Sequence, residues 1–218
     1  MTAENRPTAR LDVSALVARA RRAEGPDGRL PLGDVTTWEI FPFETDGLRL
    51  RPLADPVTEP PRGGEDAATC PICQAPDDAY VWTDTRWRLR TPETATVPYL
   101  MLEPRDHVDL GSLDDDMAAE LGRLVVRVER ALAAIPGVGR VHVHRWGDGL
   151  AHLHIFFFAR PAGLPQLHGL TMPIWANHLT PLPDEERTAI VDAVVRALRH
   201  AEGEDLRQRG MGSAPSAL

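Results

Sequence analysis

The chain of 218 residues contains no lysine: its 24 basic side chains are all arginine, and 32 acidic side chains give a formal net charge of −8. This acidic balance argues against a general binder of nucleic acid polymers, although it leaves a small nucleotide ligand open. No apolar stretch reaches the ~18 residues of a membrane span, and the first ten residues lack an apolar signal core. The sequence therefore predicts a cytoplasmic protein that does not enter a membrane.

Cysteine is also scarce, and the two cysteines stand close together. Cys70 and Cys73 occur in the order Cys-Pro-Ile-Cys. One such pair is too few for a secreted disulfide scaffold, and in a cytosolic chain it indicates thiol redox chemistry or half of a metal site. The redox interpretation is weaker because the pair lies in a predicted loop, without the strand and helix of a thioredoxin-type motif.

The apolar pattern predicts an α+β fold: an antiparallel sheet with one long helix packed on it. We divide the chain into a helical N-terminal extension (1–36), a single domain (37–202) with its core at 70–160, and a flexible tail (203–218). The predicted core elements are a hairpin about Asp84-Thr85, a strand over 99–102, a helix that Ser112 opens, strands over 141–146 and 152–159, and a last helix over 183–200. Gly147-Asp148-Gly149 predicts a tight hairpin between the last two strands.

Histidines concentrate on this predicted hairpin. His142 and His144 alternate on its first strand, and His152 and His154 alternate on its second. Side chains two residues apart in a strand share a face. Four imidazoles can therefore gather on one side of the hairpin, provided that the register of the two strands aligns their faces.

Two thiolates and two imidazoles together suit a tetrahedral zinc site. The set available from the spacing is Cys70, Cys73, His107 and either His152 or His154. These residues are too widely spaced for a zinc finger, but they suit a site that pins a loop to a sheet. The alternative is a surface loop with two free thiols and with histidines at strand edges.

Three motifs resemble those of the histidine triad superfamily. They are Cys70-Pro71-Ile72-Cys73, then Leu102-Glu103-Pro104-Arg105-Asp106-His107 before the long helix, and His152-Leu153-His154-Ile155-Phe156-Phe157 on the last core strand. Their order and intervals match that family over about residues 70–160. The extra length on both sides looks more like the galactose-1-phosphate uridylyltransferase branch, which also has flanking elements.

The resemblance implies a ligand set, a nucleophile and a kind of partner. In the zinc-bearing branches the metal is structural, and the matching ligands here are Cys70, Cys73, His107 and His152. The second histidine of the triad, here His154, would attack an α-phosphorus and form a nucleotidyl-histidine, from which water or a sugar phosphate takes the nucleotide. The partner would be a nucleotide or a nucleotide-sugar-like molecule, and family members are often homodimers.

The third triad position departs from the family, because Phe156 stands where His or Gln is found. Phenylalanine cannot donate a hydrogen bond to a leaving oxygen, and loss of such a donor typically costs ~10²–10³ in rate. Either another residue supplies the donor, with His144 and His142 as candidates, or the protein binds nucleotides with little or no turnover. Both histidines could equally form only cross-strand pairs, and the domain could be zinc-stabilised without any nucleotide.

The loop before the triad is short and lacks the phosphate-binding amide and hydroxyl residues of the family. Arg145 is a candidate phosphate clamp within a substrate-binding set that also includes Trp146 and His142. Arg145 could equally pair with Asp148 at the hairpin tip. Strand alternation places Arg145 opposite the face that carries His144, which argues against the clamp unless the loop turns it.

Overall fold

The computed structural model describes residues 21–22, 24–29, 55–56, 58–165, 167–172 and 181–211, without the side chains of 170 and 203–211. The chain divides into two compact units, Met1–Pro60 and Pro61–Leu218. In the first unit, Arg21 forms an ion pair with Asp55. Most of the helix and strands expected before residue 54 lies outside the described residues, and the predicted domain boundaries stay predictions.

The second unit has the predicted α+β architecture. Its described strands are β1 (Trp82–Thr83), β2 (Trp87–Arg90), β3 (Tyr99–Pro104), β4 (Val138–His144) and β5 (Ile155–Pro161). Its described α-helices are α1 (Pro71–Gln74), α2 (Asp115–Ala133) and α3 (Asp184–Met211). The strands form one antiparallel sheet in the order β1-β2-β3-β5-β4.

Strand alternation gives the sheet one face covered by the two long helices and an opposite face, here called the open face, on which Phe158 packs against Leu167 and Met172. The register pairs Leu89 with Leu102 and Leu100 with Phe157, and all four belong to the core that α2 and α3 cover. The inward stripe of α2 follows a helical spacing, and its buried members are Met117, Leu121, Leu124, Val128 and Leu132. Burying one such side chain contributes ~1.5–3 kcal/mol, so this core fixes the sheet against the helices.

Helix α2 begins later than the sequence predicts. Asp114 is its N-cap, and the carboxylate of Asp114 accepts a hydrogen bond from the Met117 amide at 2.7 Å. Ser112 belongs to a separate 3₁₀ turn, Leu110–Ser112. The expectation that Ser112 opens the helix is therefore wrong, because an aspartate nearer to the first turn provides the cap.

The pairing of β4 with β5 confirms the predicted antiparallel pair but not its tight turn. The strands end and begin at His144 and Ile155, so residues 145–154 connect them. Within this connection the backbone pairs with Gly63, which donates to the Gly149 carbonyl and accepts from the Ala151 amide, each at 3.0 Å. His152 and His154 therefore precede strand β5, because a distant segment takes the hydrogen bonds that a hairpin would use.

Helix α3 runs past its predicted end at residue 200 to Met211. Residues 203–211, expected to begin a flexible tail, therefore have a helical backbone in the structure. Val194 and Leu198 bury the inner face of α3 in the common core. No helix among the described residues has the length and apolar character needed to cross a membrane.

Candidate functional site

Four residues that the sequence singled out meet at one end of the sheet. The ligating atoms of Cys70, Cys73, His107 and His152 all lie within 4.8 Å of one another. Cys70 is the N-cap of α1, so a single helical turn carries both thiols to the same side. His107 follows the end of β3 and His152 precedes β5, so the sheet brings the two imidazoles to this turn.

The distances in this cluster match those of a tetrahedral zinc site. Nδ1 of His152 lies 3.5 Å from Sγ of Cys70 and 3.3 Å from Sγ of Cys73, and Nδ1 of His107 lies 3.3 Å from Sγ of Cys73. Zinc bonds of ~2.3 Å to sulfur and ~2.0 Å to nitrogen at a tetrahedral angle separate these atoms by about 3.5 Å. The four residues therefore fit a structural zinc whose shell they close.

Both histidines of the cluster are oriented by backbone carbonyls. Nε2 of His152 donates to the carbonyl oxygen of Pro104 at 2.9 Å, and Nε2 of His107 donates to that of Glu65 at 3.3 Å. These bonds place the proton on Nε2 and leave the Nδ1 lone pair facing the sulfurs, the arrangement typical of metal-binding histidine. Burial lowers the pKa of His152 and so favours its neutral, ligating form.

A buried arginine that the sequence analysis did not single out braces the cysteine turn. Arg88 is 4% exposed and donates to the carbonyl oxygens of Ile72 at 2.9 Å and Ala75 at 3.1 Å. Its guanidinium lies 4.3 Å from the centre of the Tyr80 ring. Because these carbonyls belong to the Cys70–Ala75 segment, Arg88 fixes the backbone that presents both thiols.

The same network includes a fully buried carboxylate. Glu103, paired with Arg88 across β2 and β3, accepts hydrogen bonds from Tyr80 at 2.9 Å and from Arg90 at 2.8 Å. Burial raises the pKa of Glu103, and the two arginines oppose this rise. The available signal was the alternation Trp87-Arg88-Leu89-Arg90, which puts two arginines on one face of a short strand.

His154 has the geometry that a nucleophilic imidazole requires. Its Nδ1 lies 2.8 Å from the carbonyl oxygen of His152. A carbonyl can only accept, so Nδ1 carries the proton and Nε2 keeps its lone pair. The side chain is partly buried, and its ring lies edge-on to Phe156 with 4.9 Å between centroids. The acceptor that fixes the ring is thus the backbone carbonyl of His152, a member of the cysteine–histidine cluster.

The open face of the sheet carries three of the four hairpin imidazoles. His144 pairs with Phe156 and His142 pairs with Phe158 across β4 and β5. His154 shares this face, whereas the first triad histidine turns into the metal cluster. The expected gathering of four imidazoles is therefore only partly realised, because metal ligation takes one of them.

The ring of Trp146 covers the imidazole of His144, the residue paired with Phe156. Its ring stacks on His144 at 5.1 Å between centroids and 6° between planes, and it lies 4.8 Å from Phe156. Trp146 is itself 42% exposed. Burial lowers the pKa of both His144 and His142, which favours neutral rings, and neither Nε2 has a hydrogen-bond partner among the described residues.

Arg145 is paired with Asp109, and not with Asp148 as one of the two expectations held. Asp109 also accepts from Arg62 at 2.7 Å, and Arg62 donates to the carbonyl oxygen of Gly147 at 3.1 Å. Gly147 has a φ of +74°, and a Cβ there would lie 2.4 Å from the Arg145 guanidinium carbon. The two arginines and Asp109 form a latch that holds the loop before His152.

Comparisons with known proteins were made at the levels of family, sequence and structure. No family model and no curated protein sequence matches the chain. A histidine triad protein of Bradyrhizobium japonicum is similar in structure, with 24% identity and a TM-score of 0.46, over 54% of this chain and 88% of that chain. A Zn-bound histidine triad family protein from Mycobacterium smegmatis has 16% identity and a TM-score of 0.46, over 64% and 99%.

A uridylyltransferase mutant is also similar, with 20% identity and a TM-score of 0.40. The match covers 61% of this chain and 48% of that one. Because these identities are all below 25%, the likeness concerns the fold alone. The chemistry of the site is therefore argued from the residues of this chain. The two histidine triad structures belong to the superfamily that the three sequence motifs resemble.

Proposed function

We propose that this protein is a nucleotidyl hydrolase or nucleotidyltransferase that forms a covalent nucleotidyl-histidine on His154. The observation that supports this most directly is the hydrogen bond from Nδ1 of His154 to the carbonyl oxygen of His152. It fixes the ring and leaves the Nε2 lone pair available for attack. A neutral imidazole held in this way is a competent nucleophile towards phosphorus.

The proposed reaction has two displacements at one α-phosphorus. First, Nε2 of His154 forms a bond to phosphorus while the bond to the leaving oxygen or nitrogen breaks, and the leaving group keeps that electron pair. Then water, which releases one proton to the solvent, or an anionic phosphate oxygen of a sugar phosphate attacks the same phosphorus, the P–N bond breaks and its electron pair returns to Nε2. The Nδ1 proton stays on His154 throughout, held by the carbonyl.

The zinc contributes order to this scheme, since four protein ligands leave no position for substrate. Cys70, Cys73 and His107 would hold His152 through the metal, and the carbonyl of His152 orients His154. The residues around the metal would thus orient the reacting Nε2 of His154 without contacting the substrate themselves.

Phe156 cannot donate a hydrogen bond to the leaving group, and we assign this role to His144. Directly paired residues of antiparallel strands have Cβ atoms about 4.5–5.5 Å apart, and His144 is the partner of Phe156. Its Nε2 is buried and has no other hydrogen-bond partner among the described residues. Trp146 and His142 flank this position and would contact the substrate, whereas a phosphate could reach Arg145 only by replacing Asp109.

A second candidate function is nucleotide binding without turnover, and the Phe156 ring favours it. The ring lies against His154 where a hydrogen-bond donor is expected. In that case the open face would hold a nucleotide, but no bond to His154 would form. The two candidates differ in one observable, the mass of the protein after incubation with substrate.

The experiment is intact mass spectrometry of the wild type, His154→Ala and His200→Ala. Each protein is incubated with nucleoside phosphoramidates, dinucleoside polyphosphates and nucleotide sugars, and product release is followed in the same samples. We expect an adduct of one nucleotidyl group, or product, in the wild type and in His200→Ala, which changes an exposed histidine of α3. His154→Ala should give neither while retaining its zinc. Full turnover by His154→Ala would refute the assignment, and binding without adduct or product would support the second candidate.

A further inference from the structure

A cavity of about 580 Å³ lies between α2, α3 and one end of the sheet. It is partly open to solvent, since Ala134, Ala189 and Ala197 on its rim are exposed. Here the two helices face the space with small side chains, so ordinary interdigitation does not fill it. The alanines that line it are Ala131 and Ala134 of α2 and Ala189, Ala193 and Ala197 of α3.

This cavity is separate from the site around His154. Its sheet wall is formed by Pro98 before β3, Ala159 near the end of β5 and Val138 at the start of β4. His154 precedes the other end of β5, and five residues of extended strand span on the order of 17 Å. Ala159 also belongs to the helix-covered core, whereas His154 contacts the aromatic residues of the open face.

Charge at the cavity has one sign. Among the described residues that line it, Glu186 is the only ionisable one, and it forms no ion pair in the described part of the chain. The neighbouring Arg187 is engaged elsewhere, since it pairs with Asp184 at 2.9 Å and donates to the carbonyl oxygen of Glu93 at 2.7 Å. The C-terminal end of α2, capped by Ala134, forms another wall. A helix C-terminus and a carboxylate both attract positive charge, so the cavity favours a cationic group over an anionic one.

We propose that this cavity binds a small amphiphile with an apolar body and a cationic, amine-type end placed at Glu186. Its volume falls within the ~300–1,000 Å³ of small-molecule pockets, whereas a partner helix is ~10–12 Å wide and needs a larger groove. Water has few polar partners against such walls, while an apolar body is stabilised by leaving water. The proposal does not depend on the chemistry at His154.

The test uses the full chain and the neutral fluorescent probe N-phenyl-1-naphthylamine. We expect saturable probe binding, and displacement by decylamine at about fivefold lower concentration than by decanoate, the upper range for an ion pair with an exposed carboxylate such as Glu186. Glu186→Gln should abolish this preference and still bind the probe. Ala193→Leu fills part of the cavity, so the probe can bury less apolar surface there. Its Kd for the probe should therefore rise about tenfold.

The matched control is Ala119→Leu, which adds the same side chain on the exposed face of α2. It should bind the probe as the wild type does. Should Ala193→Leu fail to fold in a thermal unfolding scan, Ala131→Leu fills the same space from α2. Absence of saturable binding, equal probe affinity in the filled variants, or equal displacement by amine and carboxylate would each overturn the proposal. None of these readouts involves the adduct on His154.

Discussion

Phe156 and His144 together decide what chemistry the open face can support. The ring of Phe156 lies 4.9 Å from that of His154 and can exclude water there, but it offers no hydrogen bond. His144 is its direct partner on β4, and Trp146 stacks on His144. The imidazole absent from one strand is thus present on its neighbour, and the register selects His144 over His142, the other candidate from the sequence.

This exchange predicts the behaviour of His144→Phe. We expect the rate of adduct formation in a single turnover to fall by ~10²–10³, the usual effect of losing a transition-state donor. Introducing Phe156→His into that variant should restore part of the rate, because the donor returns to the family position. His200→Ala is the control, since it changes an exposed histidine of α3 that lies outside this face of the sheet. An unchanged rate in His144→Phe would exclude it as the donor.

At the scale of elements, the loop before His152 is held by the latch of Arg62, Arg145 and Asp109. Burial would raise the pKa of Asp109, but hydrogen bonds from both arginines and from the Leu110 amide outweigh it and lower the pKa from 3.8 to about 2. A carboxyl whose pKa is lower in the folded state stabilises the fold above its unfolded pKa. This contribution is therefore present above about pH 4 and is lost as the pH falls towards 2.

We expect Asp109→Asn to lower the free energy of unfolding at pH 7 by about 1 kcal/mol, after allowance for screening of a partly exposed pair. Urea unfolding at several pH values measures this difference, which should shrink between pH 4 and 2. Both proteins lose the metal alike in acid, so only their difference is informative. Asp148→Asn, on the same loop, should match the wild type throughout. A difference that is constant with pH would show that the latch is not ionic.

A second element is the short turn that carries the cysteines. The four residues of α1 cannot be stable alone, since isolated helices shorter than ~12–15 residues are marginal in water. Arg88 binds two carbonyls of this segment from β2, and Glu103 and Tyr80 surround that arginine. The thiols are therefore presented by a turn that the sheet supports through Arg88.

At the scale of the whole molecule, the proposed zinc joins three segments that are far apart in sequence. They are the cysteine turn, the chain after β3 at His107 and the chain before β5 at His152. Burial and the nearby Cys70 raise the pKa of the Cys73 thiol to about 11, so at neutral pH the thiolate requires a cation. Metal binding and folding of the sheet end are expected to be coupled.

Zinc removal should therefore destabilise the second unit as a whole. We expect a chelator such as 1,10-phenanthroline to release one zinc per chain and to lower Tm by on the order of 10 °C, at about 2–4 °C per kcal/mol. Both cysteines should then become reactive towards a thiol reagent. Cys73→Ser should reproduce the lower Tm without chelator, and His168→Ala should not. An unchanged Tm after complete zinc loss would contradict a structural role for the metal.

The sequence by itself determined most of the local elements and narrowed the ligand set. The apolar stripe of α2, the alternation of β2, the apolar run of β5 and the Cys-Pro-Ile-Cys turn are short-range patterns, so residue spacing predicts them. The set Cys70, Cys73, His107 and His152 required the resemblance as well, because spacing left His154 as an alternative ligand. The structure then placed these four residues together.

Only the tertiary structure decided which distant segments meet. Gly63 forms backbone hydrogen bonds with the loop that the sequence predicted to be a tight hairpin turn. Asp109 forms an ion pair with Arg145. The brace on the cysteine turn by Arg88 and the cavity between α2 and α3 also depend on contacts between separate elements. Such contacts are set by the packing of the whole core, and no local pattern in the chain encodes them.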